Sequence, residues 1–220
     1  MAKIFNVSAR AVIARISDPP ARALLRMGIS PDVVTAVGTV GVLVGAVVFA
    51  LTGNYLAGTI IVTLSAFTDL LDGTMARLRG RSTKFGALLD STCDRIADGA
   101  VFGAVAYWLA IQGRHWGAIA ALVSLVAGQV VSYVKARAEG LGFTANVGLI
   151  ERAERLILLG VGGLLSASGV TYGLDVALGV LAVLSIVTVG QRMITVYRQD
   201  RIANPVEPPE PPTTEAPDPA

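Results

Sequence analysis

One cysteine and one histidine occur in 220 residues, and only 15% of the chain is Asp, Glu, Lys or Arg. The lone Cys93 excludes a disulfide within the chain and any cysteine-cluster zinc or iron–sulfur site. The lone His115 excludes a multi-histidine metal centre and makes any Ser-His-Asp arrangement depend on that one residue. The shortage of charge excludes more. A soluble domain carries about 25% charged residues, and here the mean hydropathy is +0.64, too apolar for a solvated surface around one core. What charge there is nearly cancels, to +2, so the information lies in where the charges fall.

Long apolar runs fill the rest. Crossing the hydrocarbon takes about 20 mostly apolar residues. Val33 to Leu51, Tyr55 to Leu71, Phe85 to Ile111, His115 to Tyr133, a shorter run from about Ile150 to Ser168, and Leu174 to Val196 are the candidates. They predict an all-α integral membrane protein with six transmembrane helices. Strands are not expected, because an open sheet edge in lipid leaves backbone groups unpaired.

Basic residues gather before the first run (Lys3, Arg10, Arg15, Arg22, Arg26) and between the second and third (Arg77, Arg79, Arg81, Lys84). They gather again between the fourth and fifth (Lys135, Arg137, Arg152, Arg155) and at the end of the sixth (Arg192, Arg198, Arg201). Only Arg114 and His115 fall on the other side, flanked by Trp108 and Trp116 as an interfacial belt would be. By the positive-inside rule both termini are cytoplasmic.

Ile4, Val7, Ala11 and Ile16 recur at rough helical spacing against Arg10 and Arg15. This predicts an amphipathic helix lying on the inner membrane face. It should end near Asp18-Pro19-Pro20, since the residue before a proline disfavours the α region. A plain basic flank that sets orientation is the alternative. From about Asn204 the chain holds seven of its ten prolines and four acids with no base, so a disordered tail is expected. Without it, 18 bases face 12 acids, a balance of +6. The chain thus divides into a juxtamembrane segment (1–30), a membrane body (31–202) and a tail (203–220).

Four acids stand near the cytoplasmic ends of the second and third runs. Asp69 and Asp72 are i, i+3 and share one helix face; Asp90 and Asp94 are i, i+4 and share another. Acids inside spans are costly and face polar cavities. Four carboxylates aimed at one spot need cations to balance them. Oxygen-only ligands select hard divalent ions: two Mg²⁺, with Mn²⁺ as the alternative, ahead of Zn²⁺. The blander reading is a set of helix-end acids paired with Arg77, Arg79 and Arg95. Asp98, one turn beyond Asp94, is expected to hold Arg95 or a water. Cys93 should miss the carboxylate face, and His115 lies a membrane thickness away.

Asp69-Leu-Leu-Asp72-Gly73-Thr-Met-Ala76-Arg77, then eight residues, then Gly86-Ala-Leu-Leu-Asp90-Ser-Thr-Cys-Asp94, resembles the signature of the CDP-alcohol phosphotransferase family, D-x2-D-G-x2-A-R-x(7–8)-G-x3-D-x3-D. All eight fixed positions are present. The resemblance implies transfer of a phosphatidyl group from CDP-diacylglycerol to an alcohol, with release of CMP. It assigns Asp69, Asp72, Asp90 and Asp94 to a two-metal site, with Asp94 also the catalytic base. Gly73 would let the nucleotide approach the helix closely, and Arg77 would pair with phosphate. Pro31, Asp32 and Thr35, after Ser30, resemble a family segment near the cytidine. An ordinary helix start, with a Ser cap and Pro at the first position, explains them equally well. Thr83 is a further candidate for the nucleotide.

The acceptor is read from the remaining cations. Lys135, Arg155 and Arg192, with Arg137 and Arg152 behind them, would suit a phosphate-bearing alcohol, whereas a topology-setting basic flank is the alternative. SPDVVT, FGALLDSTCDRIADGAVF and SYVKARAE resemble the actinobacterial phosphatidylinositol-phosphate synthases within the family. That implies inositol 1-phosphate as acceptor, phosphatidylinositol phosphate as product, a homodimer and a plasma-membrane setting. Glycerol 3-phosphate as acceptor is the nearest alternative. An ion-coupled transporter, which would place acids at the midplane within repeated half-motifs, is the alternative of another class. Membrane lipid is the only other partner expected, and no nucleic acid.

Overall fold

The computed structural model describes residues 15–80 and 83–204. Every regular element among the described residues is an α-helix. A helix over 15–26 (α1) precedes Pro31–Thr52 (α2), Tyr55–Leu78 (α3), Lys84–Ile111 (α4), His115–Gly140 (α5), Arg152–Ala167 (α6) and Gly173–Ala203 (α7). α2, α3, α5 and α7 are long and apolar enough to cross a membrane. α4 has 28 residues but carries Lys84, Asp90, Asp94, Arg95 and Asp98 within its first fifteen, and α6 has only 16.

α2 shows the solvent this fold is built for. It exposes Val33, Val37, Val40, Val44 and Val47, and buries Thr35, Gly38, Thr39 and Gly45 among its inward residues. α7 likewise exposes Val176, Val180, Val183 and Ile186 while burying Ser185, Thr188 and Arg192. The outward face is the more apolar one, as lipid requires and water would not tolerate.

Neighbouring helices close a ring in the order α2, α3, α6, α7, α5, α4 and back to α2. Its apolar centre is built largely on α4, where Val101, Phe102, Val105 and Leu109 pack against Phe49, Ala121, Leu159, Leu174 and Leu178. Small residues allow the close approaches. A Cβ at Gly163 would lie 2.7 Å from Thr59 Oγ1, so α6 and α3 meet backbone to side chain there. At the far end, Arg114 pairs with Asp175 and donates to Tyr55 Oη (3.2 Å) and Thr171 O (2.7 Å), tying α3 and α7 to the start of α5.

The first helix does not stop at Asp18-Pro19-Pro20 but runs on to residue 26. Packing overrides the prolines: Ser17 and Ala21 are fully buried, Thr74 Oγ1 donates to Ser17 Oγ at 3.1 Å, and Ala21 joins Val34, Leu71 and Met75 in a second apolar cluster. The amphipathic pattern over residues 1–14 and most of the Pro-rich tail lie outside the described residues. Trp116 is open to the surroundings, but Trp108 packs edge-on against Phe49, 6.2 Å between centroids.

Gly53 ends α2 with φ 62, and a Cβ there would run into the Trp108 ring. Gly53→Ala is therefore expected to lower the thermal unfolding midpoint of the detergent-solubilised protein, by on the order of 1–3 kcal/mol in stability. An unchanged midpoint would show that the ring moves aside freely.

Candidate active site

α3 does not end at Leu71. It continues to Leu78 with Asn54 as its N-cap, so Asp69, Asp72, Gly73 and Arg77 all sit on one regular helix. α4 starts at Lys84 because the Thr83 side chain accepts from Gly86 N at 2.9 Å. Asp90, Asp94 and Asp98 then follow at successive turns. The two helices lie on either side of α2 in the ring, and their acids converge: Asp72 and Asp90 line one cavity, and Asp69 and Asp94 meet on one side chain, that of Arg152. Thr35 of α2 donates to Asp72 Oδ2, which locks the most buried of the four to the neighbouring helix.

Two cavities flank this cluster. The first, of about 260 Å³, is lined by Pro31, Asp32, Thr35, Asp72, Gly73, Arg79, Thr83, Gly86 and Asp90. Ser30 caps α2 beneath it, accepting from Val33 N at 3.3 Å, with Pro31 in the first turn. The segment is thus an ordinary helix start and a cavity wall at once. Gly73 leaves the helix backbone open there, since the nearest side-chain atom to a Cβ would be Arg77 Nη1 at 3.9 Å. Arg77 itself donates to Thr74 Oγ1 at 2.8 Å and does not line the cavity, where Arg79 stands instead.

The second cavity, of about 680 Å³, is lined by Asp94, Arg95, Gln129, Lys135, Glu139, Glu151, Arg152, Arg155 and Arg192, among others. Arg137, exposed in the last turn of α5, is not in its wall. Arg155 and Asp98 are 1% and 3% exposed and pair at 2.8 Å. Arg192 is committed elsewhere: it donates to Val147 O (2.9 Å), Val131 O (2.8 Å) and Glu151 Oε1 (3.2 Å). Gly128 makes room for Arg155, because a Cβ there would lie 3.1 Å from its Cζ and Nε. Asp98, Glu151 and Gly128 were not among the expected site residues. The i, i+4 step from Asp94 to Asp98 was the available signal for the first; nothing in the sequence marks the other two.

The hard-ion expectation meets a cation of another kind. Among the described residues, no three His, Cys, Asp or Glu side chains are gathered tightly enough to grip an ion as they stand. Arg152 Nη1 lies 2.7 Å from Asp69 Oδ2 and 2.7 Å from Asp94 Oδ1, and holds the two helices' carboxylates on one positive group. The donor set remains purely carboxylate, which fits a hard divalent cation.

A helical membrane bundle with a carboxylate cluster between two cavities lined by charged side chains suits an enzyme handling charged groups at a lipid surface, and suits an ion-coupled transporter as well. Residues 28–194 match the model of the CDP-alcohol phosphatidyltransferase family, and the chain belongs to that family. Within it the chain is similar to phosphatidylinositol phosphate synthases. It is 46% identical over 209 residues to that of Streptomyces avermitilis, covering 91% of this chain and 86% of the relative. The crystal structure of the Mycobacterium tuberculosis phosphatidylinositol phosphate synthase (PgsA1) with CDP-DAG bound superposes with TM-score 0.79 at 47% identity, over 84% of this chain and 94% of that one. The same enzyme in complex with manganese and citrate gives TM-score 0.77 at 45% identity, over 82% and 88%. Family membership removes the transporter alternative.

Because Asp98 and Arg155 are buried together, removing either leaves an uncompensated charge. Asp98→Asn and Arg155→Met are each expected to reduce thermal stability, and the double variant to lose less than the sum. The coupling expected in such a cycle is about 0.5–3 kcal/mol. Simple additivity would mean that the two residues are not coupled, whatever each contributes alone.

Proposed function

We propose that the protein transfers the phosphatidyl group of CDP-diacylglycerol to the hydroxyl of inositol 1-phosphate, giving phosphatidylinositol phosphate and CMP. The observation that carries this is the placing of Asp90 and Asp94. One turn of α4 separates the cavity that holds Asp72, Gly73 and Asp90 from the cavity that holds Asp94, Lys135 and Arg155. A nucleotide-bearing donor suits the first, where an open helix backbone and a cap hydroxyl face the space. An anionic acceptor suits the second, where cations outnumber acids.

Asp69, Asp72, Asp90 and Asp94 would hold the divalent ions, two by charge balance, Mg²⁺ or Mn²⁺. When bound, such ions offset the pyrophosphate charge and stabilise the departing CMP. Asp94 borders the acceptor cavity and takes the proton from the acceptor hydroxyl. That oxygen bonds to the phosphorus bearing diacylglycerol, the phosphorus–oxygen bond to CMP breaks, and CMP leaves with the electron pair. Pro31, Asp32, Thr35, Gly73 and Thr83 position the nucleotide, with Arg77 over the glycine. Lys135, Arg155 and Arg152 receive the acceptor phosphate, and Arg192 braces the wall they stand on; Arg137 acts at the rim. Six spans, α4 and α6 among them, both termini and the site on the cytoplasmic side of the plasma membrane, and a homodimer complete the reading.

Purified protein is expected to release CMP from CDP-diacylglycerol only with Mg²⁺ or Mn²⁺ present, and faster with inositol 1-phosphate than with inositol, glycerol 3-phosphate or serine. Preference for glycerol 3-phosphate would replace the acceptor, and no release with any of them would reject the reading. Asp94→Asn is expected to abolish turnover in a folded protein. Arg155→Ala should raise the KM for inositol 1-phosphate more than that for CDP-diacylglycerol.

A further inference from the structure

Arg152 belongs to both halves of the site. It opens α6, and its side chain lines the larger cavity beside Lys135 and Arg155. Yet its Nη1 sits between Asp69 and Asp94, 2.7 Å from each, rather than in that cavity's open space. Its Nε makes a separate contact, 3.3 Å from Asp98 Oδ1. Asp98 is also held by Arg155, at 2.8 Å, so its position does not depend on Asp69 or Asp94.

A guanidinium and a divalent ion cannot share those oxygens. Each is drawn to the same lone pairs, and two cations a few ångströms apart in a poorly hydrated bundle repel strongly. Two other arginines of this cavity wall are not in this position. Arg155 is held by Asp98, and Arg192 by two backbone carbonyls and Glu151. Arg95 stands looser, 3.8 Å from Asp94 Oδ2 and 3.7 Å from Asp98 Oδ2, so among the described residues Arg152 alone bridges two of the carboxylates that a metal would claim.

We infer that Arg152 is an internal cation. It clamps Asp69 to Asp94 while no metal is bound. Displaced when a divalent ion enters, it pivots on its Asp98 contact and delivers its guanidinium to the acceptor phosphate. The inference rests on the reading of Asp69 and Asp94 as metal ligands. Metal binding would then strengthen acceptor binding through one side chain, and the coupling is reciprocal.

Binding, not turnover, tests this. Mn²⁺ is titrated into the full-length protein in detergent and followed by its free-ion paramagnetic signal, for wild type, Arg152→Gln and Asp69→Asn. Inositol 1-phosphate binding is measured calorimetrically with and without Mn²⁺, in the absence of donor. Arg152→Gln is expected to bind Mn²⁺ at least about fivefold more tightly than wild type, the lower end of ordinary coupling. Wild type should bind inositol 1-phosphate more tightly with Mn²⁺ present, and Arg152→Gln should lose that gain. Equal or weaker Mn²⁺ binding by Arg152→Gln, with Asp69→Asn impaired, overturns the inference and leaves the metal site standing. If Arg152→Gln does not fold, the wild-type measurement decides, since acceptor affinity indifferent to Mn²⁺ overturns the hand-over. Wild type that takes up no Mn²⁺ rejects the metal site and the inference together.

Discussion

The pairing of arginines with aspartates inside an apolar helix ring is the constraint on which the rest of the structure depends. Buried charges survive only when opposite charges and hydrogen bonds satisfy them, and lipid offers no water to make up a deficit. α3 and α4 supply the acids, and α6 the arginines that meet them. The ring order, in which α6 packs on α3 and α4 on α5, brings the two sets to one level. The stripe on α4 passes through three settings in three turns. Asp90 lines the smaller cavity, Asp94 the larger, and Asp98 is sealed under Arg155 and Arg152. One helix face thus serves donor side, acceptor side and foundation.

The foundation anchors the two arginines of α6 that stand in the wall of the larger cavity. Asp98 takes up part of the charge of Arg152 and Arg155, and Gly128 gives the latter room against α5. Arg192, spent on backbone carbonyls at Val131 and Val147, stiffens the wall between α5, α7 and the loop before α6. Glu151 does double duty, pairing with Arg192 and closing a capping box with Glu154 that fixes where α6 begins.

The helical body was legible because lipid imposes length and apolarity on every crossing segment, and the carboxylate cluster because i, i+3 and i, i+4 spacing puts side chains on one face whatever the tertiary fold. The sequence could not show which partner each face meets. Arg77 and Arg79 are two residues apart, about 160° from each other around α3, and the cavity lies on the side of Arg79. Arg137 and Lys135 are related in the same way on α5. The course of α1 through Pro19 and Pro20 depends on Ser17 and Ala21 being buried against α3, a tertiary fact with no local signature. Arg152's seat between Asp69 and Asp94 joins residues 83 and 58 positions apart along the chain.

The single turn of α4 between Asp90 and Asp94 has a pharmacological consequence. A four-residue step rises about 6 Å along a helix, so the walls of the two cavities meet on α4 within the length of a short linker. A nucleotide mimic joined over that distance to a phosphate-bearing sugar mimic would occupy both at once, each half raising the effective concentration of the other.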